Sequence, residues 1–360
     1  MTSSIPTVDL TPFVGECGGC VIGDEPTPAQ LACASSIADA CREHGFMRVR
    51  NLGFPQERVR DMFASTASLF AMSEADKTSK LNPYDPARNT GYSAFATEAL
   101  NAVRPPDLKE AFNIRCREHF DNDYRGAPPG FGEMAESMWD DLEIVSRRLF
   151  LACALALDLP RDDLGFFERT FKRMDQCTLR FLHFPPCEYA AGAQDDVDAT
   201  LRIGEHVDFG MITLLFHDGE AAGEGLQVKK AEMGAVGGKA GGEKGGWRDV
   251  VVEGLRGNDS GENASAIVNT GALLARWTND EWKATAHRVI VPNAECASKH
   301  RYSCAFFLDP DCDEIVATHP ARLVALNEEA KYEPISSKAF VQMKIQEMQT
   351  AKRKGARGYT

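Results

Sequence analysis

Residues 204–216 read GEHVDFGMITLLF, a segment in which two polar side chains come just before a predicted buried strand. On a β-strand, residues two apart point to the same face, so His206 and Asp208 are both able to aim inward from one strand and bind one ion. The residues that follow are rich in β-branched and aromatic types, which favour a buried strand. Taken alone, the His-x-Asp pair is more typical of a surface strand with a hydrogen-bonded histidine.

A second histidine completes a set of metal ligands. His287 lies in the segment TNDEWKATAHRV at 278–289. Two imidazoles and one carboxylate are the ligands of a mononuclear non-haem iron(II) oxygenase, whose facial triad leaves the other positions of an octahedral ion open. The three residues in this order predict an iron site in which His206, Asp208 and His287 are both metal ligands and catalytic residues.

Two polar residues further along the chain predict a carboxylate-binding pair. Arg301 and Ser303 are two apart on an apolar strand, so they share a face while Tyr302 and Cys304 point the other way. A planar guanidinium is able to hold a carboxylate with two parallel hydrogen bonds. The alternatives are a surface ion pair for Arg301 and an ordinary strand position for Ser303.

Together these segments resemble the iron(II)- and 2-oxoglutarate-dependent dioxygenases, specifically their isopenicillin N synthase-like branch. The resemblance covers most of the chain, since similar segments are IPTVDL at 5–10, CREHGFMRVRNLG at 41–53, GYS at 91–93, DLKEAF at 107–112 and LRFLHFPP at 179–186. It implies a mainly β fold with flanking helices, built around a double-stranded β-helix, or jelly-roll, core.

The same resemblance implies the cofactors and the reaction. Iron(II) would be bound by the three ligands named above, and 2-oxoglutarate would chelate it through the keto-acid end. Arg301 and Ser303 would hold the distal carboxylate and so be the cofactor-binding residues. Dioxygen would be the second co-substrate and ascorbate a reductant. The substrate would be a small-molecule metabolite of specialised metabolism, which is hydroxylated, desaturated or oxidatively cyclised.

The chain departs from the family pattern at two positions. Leu182 and Phe184 stand where many plant members carry an asparagine and a tyrosine that help to orient 2-oxoglutarate or the ligand beside it. Neither side chain here forms hydrogen bonds, so the pose of the co-substrate is left open. Alternation along the strand predicts that His183 faces away from the site and does not replace them.

Four aromatic residues are predicted by motif position to line the substrate pocket: Tyr92, Phe95, Phe209 and Phe307. Core packing is the alternative for all four, and it is the favoured interpretation for Phe307. These residues indicate a partly aromatic pocket without indicating a particular molecule.

Composition narrows the possible partners. The chain has 360 residues, 43% of them hydrophobic, which suffices for a full core. Its formal net charge of −13 argues against nonspecific nucleic-acid binding. Because the start of the chain lacks signal-peptide features and no stretch is apolar enough to cross a membrane, the 11 cysteines predict reduced thiols in the cytoplasm. We expect a monomer that binds a small molecule, no nucleic acid and no membrane.

The pattern along the chain predicts three regions. Residues 1–170 form an N-terminal α/β region, 171–320 a jelly-roll catalytic core with glycine-rich insertions at 229–265, and 321–360 a C-terminal helical segment. Apolar spacing predicts helices at 28–44, 55–72, 131–157, 321–331 and 337–348. Related enzymes often cover the mouth of the barrel with a C-terminal helix, and we expect the same here.

Three other functions fit parts of the pattern. A 2-oxoglutarate-independent iron oxidase, like isopenicillin N synthase or aminocyclopropane carboxylate oxidase, would use Arg301 and Ser303 on a substrate carboxylate. A catalytically silent binding protein fits the fold but would not need all three ligands. A zinc hydrolase fits the ligand types, although the Arg-x-Ser pair and the resemblance count against it. Measuring succinate formation separates the first alternative from a 2-oxoglutarate-dependent enzyme.

Overall fold

Helices and strands alternate in the first part of the chain, and strands dominate the second part. The computed structural model describes residues 5–15, 25–99, 105–115, 117, 120–189, 201–218, 225–229, 246–250, 263–344 and 346. The strands are β1 (Thr7–Asp9), β2 (Phe46–Arg50), β3 (Gly91–Ser93), β4 (Glu110–Arg115), β5 (Thr178–Phe184), β6 (Leu201–His206), β7 (Ile212–His217), β8 (Leu226–Lys229), β9 (Trp247–Asp249), β10 (Ala266–Thr270), β11 (His287–Ile290), β12 (Arg301–Leu308), β13 (Ile315–Val316) and β14 (Ile335–Ser336). The helices are α1 (Pro28–Glu43), α2 (Gln56–Phe70), α3 (Glu74–Lys80), α4 (Phe120–Asp123), α5 (Phe131–Ala156), α6 (Phe166–Thr170), α7 (Ala272–Trp277), α8 (Ala294–Ala297) and α9 (Pro320–Leu326), and residues 337–344 are also helical.

Two sheets form the centre of the molecule. The larger has eight strands in the order β1-β2-β10-β7-β12-β5-β4-β3, and the smaller has four in the order β6-β11-β8-β9. Side chains from both sheets meet in one buried apolar cluster, to which Leu182 and Ala305 contribute from the larger sheet and Val228 and Val289 from the smaller. This arrangement confirms the predicted jelly roll with flanking helices.

The long helix α5 covers the outer face of the larger sheet. Apolar residues at helical spacing, such as Leu142, Val145 and Leu149, are fully buried on one side of it. The ring of Trp139 packs edge-on against Phe306 of β12, with centroids 5.1 Å apart. The predicted helices at 28–44, 55–72 and 131–157 correspond to α1, α2 and α5. These helices pack against one another and against strands of the larger sheet.

The C-terminal helices differ in part from the prediction. Helix α9 ends at Leu326 rather than continuing to residue 331, because Asn327 adopts a left-handed conformation with φ of 53° and caps the helix there. The second predicted helix begins at residue 337 as expected and is described as far as residue 344. Among the described residues, no helix is both long and apolar enough to cross a membrane.

The proposed regional boundaries remain a prediction. Strands β1 to β4, from the first region, belong to the same larger sheet as β5, β7, β10 and β12. Most of the glycine-rich insertions, at 230–245 and 251–262, lies outside the described residues. The strands on either side of the first insertion, β8 and β9, pair antiparallel.

Candidate active site

Three side chains converge where the smaller sheet meets the loop after β6. His206 ends β6 and lies directly opposite His287, the first residue of β11. Oδ1 of Asp208 lies 3.7 Å from Nε2 of His206 and 3.8 Å from Nε2 of His287. All three ligand atoms fall within 4.8 Å of one another, which is the spacing needed to bind a single ion.

The sequence analysis placed Asp208 on the same strand as His206. In the structure β6 ends at His206, and Asp208 lies just beyond it. The carbonyl oxygen of Asp208 accepts a hydrogen bond of 2.8 Å from the backbone N–H of Ala272, at the start of α7. The carbonyl oxygen of Phe209 likewise accepts one from Leu273. The chain therefore leaves the sheet to pair with α7, and the turn brings the carboxylate back toward the two imidazoles.

Hydrogen bonds fix which ring nitrogen of each histidine is available. Nδ1 of His206 is 2.8 Å from the carbonyl oxygen of Gly204, and Nδ1 of His287 is 3.2 Å from that of Thr285. A carbonyl only accepts hydrogen bonds, so in the neutral form of each ring Nδ1 carries the proton and Nε2 keeps its lone pair. Both free lone pairs belong to the nitrogens that face Asp208.

Two further side chains orient the carboxylate. Oδ2 of Asp208 accepts hydrogen bonds from Oγ1 of Thr213 at 2.6 Å and from Nδ2 of Asn269 at 2.7 Å. These bonds leave Oδ1 facing the histidines. Sequence reasoning did not single out either residue, although alternation along β7 places Thr213 on the inner face, and Asn269 is a polar residue within the buried strand β10.

The charge state of the cluster suits a divalent cation. Burial, reinforced by the neighbouring His287, lowers the pKa of His206 to about 4, so this imidazole is neutral near pH 7. Burial by itself would raise the pKa of Asp208, but the two histidines and the bonds from Thr213 and Asn269 lower it overall. Two imidazole nitrogens and one carboxylate are typical ligands of iron(II), although they also bind zinc.

A cavity of about 1070 Å³ opens onto this cluster from between the two sheets. Arg301 and Ser303 both line it, as their shared strand face predicted, and Leu182 and Leu215 contribute apolar wall. Arg301 is 4% exposed, and burial lowers its pKa to about 10, which still leaves it charged at neutral pH. The cavity thus joins the three clustered side chains to a buried guanidinium.

His217 lies beside this guanidinium. It pairs with Ser303 across β7 and β12, and neither of its ring nitrogens has a hydrogen-bond partner among the described residues. Burial and the charge of Arg301 lower its pKa to about 3. A carboxylate bound at Arg301 would give this neutral imidazole a partner, so the residues here fit the acidic end of a small molecule.

The four predicted substrate residues separate into two pairs. Phe209 and Phe307 line the cavity. Tyr92 does not, because its side chain points to the other side of the sheet and donates a hydrogen bond to Glu110, which also pairs with Lys77. Phe95 is 46% exposed and also lies away from the cavity wall.

His183 faces away from the cavity, as alternation predicted. Nδ1 of its ring is 2.7 Å from Oε1 of Glu110, and Nε2 is 2.8 Å from Nδ1 of His300. Leu182, its neighbour on β5, lines the cavity instead. The position of the plant asparagine is therefore filled by an apolar side chain, although Arg180 of the same strand also lines the cavity.

A jelly roll that encloses a buried His-Asp-His cluster beside an arginine defines a class of non-haem iron oxygenases. Residues 175–310 match the model of the 2OG-Fe(II) oxygenase superfamily, and residues 5–129 match the N-terminal model of the non-haem dioxygenases of morphine synthesis. The chain belongs to the 2-oxoglutarate- and iron(II)-dependent oxygenases.

Individual relatives agree with this family. The chain is 29% identical to the proline hydroxylase buaE of Petromyces alliaceus over 338 residues, covering 91% of this chain and 94% of that protein. It is 26% identical to the 2-oxoglutarate-Fe(II) type oxidoreductase ppzD of Metarhizium majus over 350 residues, covering 89% and 90%. It also resembles full-length Neurospora crassa T7H in complex with alpha-KG and 5-formyluracil, with a TM-score of 0.71, 28% identity and coverage of 94% and 95%.

These findings confirm the predicted class of reaction and its cofactors. The protein is an oxidoreductase that uses iron(II), 2-oxoglutarate and dioxygen to oxidise a small molecule. They favour the 2-oxoglutarate-dependent enzyme over the 2-oxoglutarate-independent oxidase, the silent binding protein and the zinc hydrolase.

Proposed function

We propose that His206, Asp208 and His287 hold the iron, and that Arg301 and Ser303 bind the distal carboxylate of 2-oxoglutarate. The observation that carries this assignment is the position of Asp208 Oδ1, which faces the unprotonated Nε2 atoms of both histidines. When bound, iron(II) and 2-oxoglutarate supply the oxidising chemistry, in which dioxygen is consumed and succinate and carbon dioxide are released.

The residues around the cluster position these groups and exclude water. Thr213 and Asn269 hold Asp208 in one orientation, and the backbone carbonyls of Gly204 and Thr285 do the same for the histidines. Such supporting bonds set the direction in which ligands point at a metal. Leu182 and Leu215 line the same cavity as Arg301, and an apolar wall there would strengthen the attraction between this guanidinium and a carboxylate.

The substrate would occupy the part of the cavity beyond the cluster, against Phe209 and Phe307. Both rings line the cavity, together with polar and apolar residues. The relatives include a proline hydroxylase and an enzyme crystallised with 5-formyluracil, so their names suggest small nitrogen-containing molecules without agreeing on one.

The cellular setting is also part of this proposal. Cys33, Cys41, Cys153 and Cys304 are buried free thiols, which suits a reducing cytoplasm. The acidic net charge of −13 supports a protein that does not bind nucleic acid nonspecifically. That the protein acts as a monomer is also part of the proposal.

An anaerobic titration tests the site assignment. Iron(II) and then 2-oxoglutarate are added to wild type, to Arg301→Ala and to His206→Ala, and the visible charge-transfer absorption is followed. We expect a band in wild type, a band that needs far more 2-oxoglutarate in Arg301→Ala, and none in His206→Ala. An undiminished band in His206→Ala would overturn the iron assignment, and an unchanged titration in Arg301→Ala would overturn the carboxylate assignment.

A further inference from the structure

Asp309 carries a carboxylate in the wall of the cavity, and it belongs neither to the proposed iron ligands nor to the proposed 2-oxoglutarate site. It follows directly after β12, two residues beyond Phe307, and lines the same cavity. Gly210 leaves room for it, because a Cβ atom at position 210 would lie 2.1 Å from Oδ1 of Asp309. The carboxylate therefore sits between the end of β12 and the loop that carries Asp208.

The other acidic side chains of this wall are paired, whereas Asp309 is not. Glu98 accepts hydrogen bonds from Arg180 and from Lys109. Asp175 accepts one from Arg173 and one from a backbone N–H. Among the residues that the structure describes, Asp309 has no hydrogen bond to its carboxylate and no ion pair within 4.0 Å. Asp309 is half-buried and faces the cavity, where a cation or a hydrogen-bond donor of a bound molecule would be able to reach its carboxylate.

Arg115 is the cation whose charge acts on Asp309, but it is held back from it. Its Nε donates to the carbonyl oxygen of Asp175 at 3.3 Å, and its Nη1 to that of Arg88 at 3.4 Å. Its Nη2 donates to Oε1 of Gln176 at 2.5 Å. Three acceptors thus hold the guanidinium in place, and a gap remains between the two charges within the cavity.

We propose that Asp309 determines specificity by binding a protonated nitrogen of the substrate, so that the enzyme acts on amine-bearing small molecules. This inference rests on the proposed function, since it places the substrate beyond the iron and against Phe307. The anionic co-substrate is taken up at the opposite end of the cavity, beside Arg301. A cationic group of the substrate would neutralise the charge of Asp309, whereas a neutral hydrogen-bond donor would leave that charge unbalanced.

Two probes of matched shape test the proposal: cyclopentylamine, which is cationic at pH 7.5, and cyclopentanol, which is neutral. Their affinities are measured by calorimetry for wild type and for Asp309→Asn, with and without iron(II) and 2-oxoglutarate under anaerobic conditions. Asp61→Asn is the control, because it removes the same charge from an exposed position on α2. We expect wild type and the control to bind the amine at least tenfold more tightly than the alcohol. In Asp309→Asn the two affinities should agree within twofold.

Every other result overturns the proposal. Equal affinities in wild type would show that Asp309 does not select a cation, and a preference that survives in Asp309→Asn would place the amine elsewhere. Absence of amine binding would show that the position is not a binding site. If Asp309→Asn unfolds at a lower temperature than the control, Asp309→Ser provides the comparison in its place.

The same samples separate this inference from the proposed function. The charge-transfer band reports on iron and 2-oxoglutarate, whereas the probe affinities are also measured without either. Loss of the band in wild type would count against the proposed function alone. A normal band together with no selection for the amine would count against Asp309 alone.

Discussion

Asn269 donates a hydrogen bond of 2.7 Å to Oδ2 of Asp208 and so decides which carboxylate oxygen faces the two histidines. The bond is buried, and Asn269 itself is 2% exposed. Without it, the carboxylate is able to rotate about its last bond, and Thr213 alone remains to hold it. The orientation of Asp208 therefore depends on a residue of β10, a strand that carries none of the three ligands.

Replacing this asparagine should weaken iron binding without unfolding the protein. We expect Asn269→Ala to raise the dissociation constant for iron(II) about 10- to 100-fold, the usual effect of losing a supporting bond to a metal ligand. Anaerobic competition with a coloured chelator measures the constant. Thermal unfolding of the metal-free variant is the control, since a large loss of stability would mean that Asn269 acts mainly on the fold.

His217, which lies opposite Ser303 and beside Arg301, offers a second test. If its imidazole pairs with the distal carboxylate of 2-oxoglutarate beside Arg301, His217→Phe should raise the KM for 2-oxoglutarate about tenfold, the equivalent of one hydrogen bond to a charged group. Succinate formation at varied 2-oxoglutarate gives KM and kcat separately. His300→Phe is the matched control, because that ring bonds to His183 outside the cavity. Equal KM values in the two variants would contradict a role for His217.

The sequence was informative where the chemistry is local. The two-residue spacing of Arg301 and Ser303 places both on one face of β12, and the ligand types of His206, Asp208 and His287 are enough to predict a metal site. Strand alternation also predicted that His183 turns away from the cavity. In each case a short periodicity determines which side a residue faces.

Other features of the site depend on contacts between distant parts of the chain and could not be predicted from the sequence. Asn269 reaches Asp208 only because β10 pairs with β7 and sets it opposite Thr213, 56 positions away from it in the sequence (269 − 213 = 56). The motif around Tyr92 resembled the family, but the direction of its side chain depends on the pairing of β3 with β4. That Arg115 stays apart from Asp309 likewise depends on its bonds to Asp175, Arg88 and Gln176, which are distant from Asp309 in sequence.

Tyr92 should behave as a structural residue. Its hydroxyl donates to Glu110, which also pairs with Lys77 and His183 in a buried cluster. We expect Tyr92→Phe to lower the free energy of unfolding by about 1–3 kcal/mol, because it leaves a buried carboxylate with one donor fewer. Urea denaturation measures this loss. The titration of the variant with iron and 2-oxoglutarate should match that of wild type. A changed titration would show that Tyr92 has a role in the active site.

The affinity of Asp309 for an amine should depend on pH in the metal-free protein. Burial raises the pKa of this carboxyl to about 6, with a smaller opposing effect of Arg115 and a reinforcing one of Asp208, and Asp175 and Lys338 line the same wall. Because only the ionised carboxylate attracts a cation, binding should be strong above pH 6 and weaken as the pH falls through that value. From pH 7.5 to pH 5 the affinity for cyclopentylamine, which stays protonated throughout, should fall about tenfold.

Calorimetry at several pH values measures this change on metal-free protein, since bound iron would offset the charge of Asp208. Asp309→Asn should show weak binding with no such transition. Cyclopentanol should bind wild type equally at both ends of the range, because a neutral ligand gains little from the charge. A transition that persists in Asp309→Asn would assign the titrating group to another residue of the wall, with Asp175 the first to replace by asparagine.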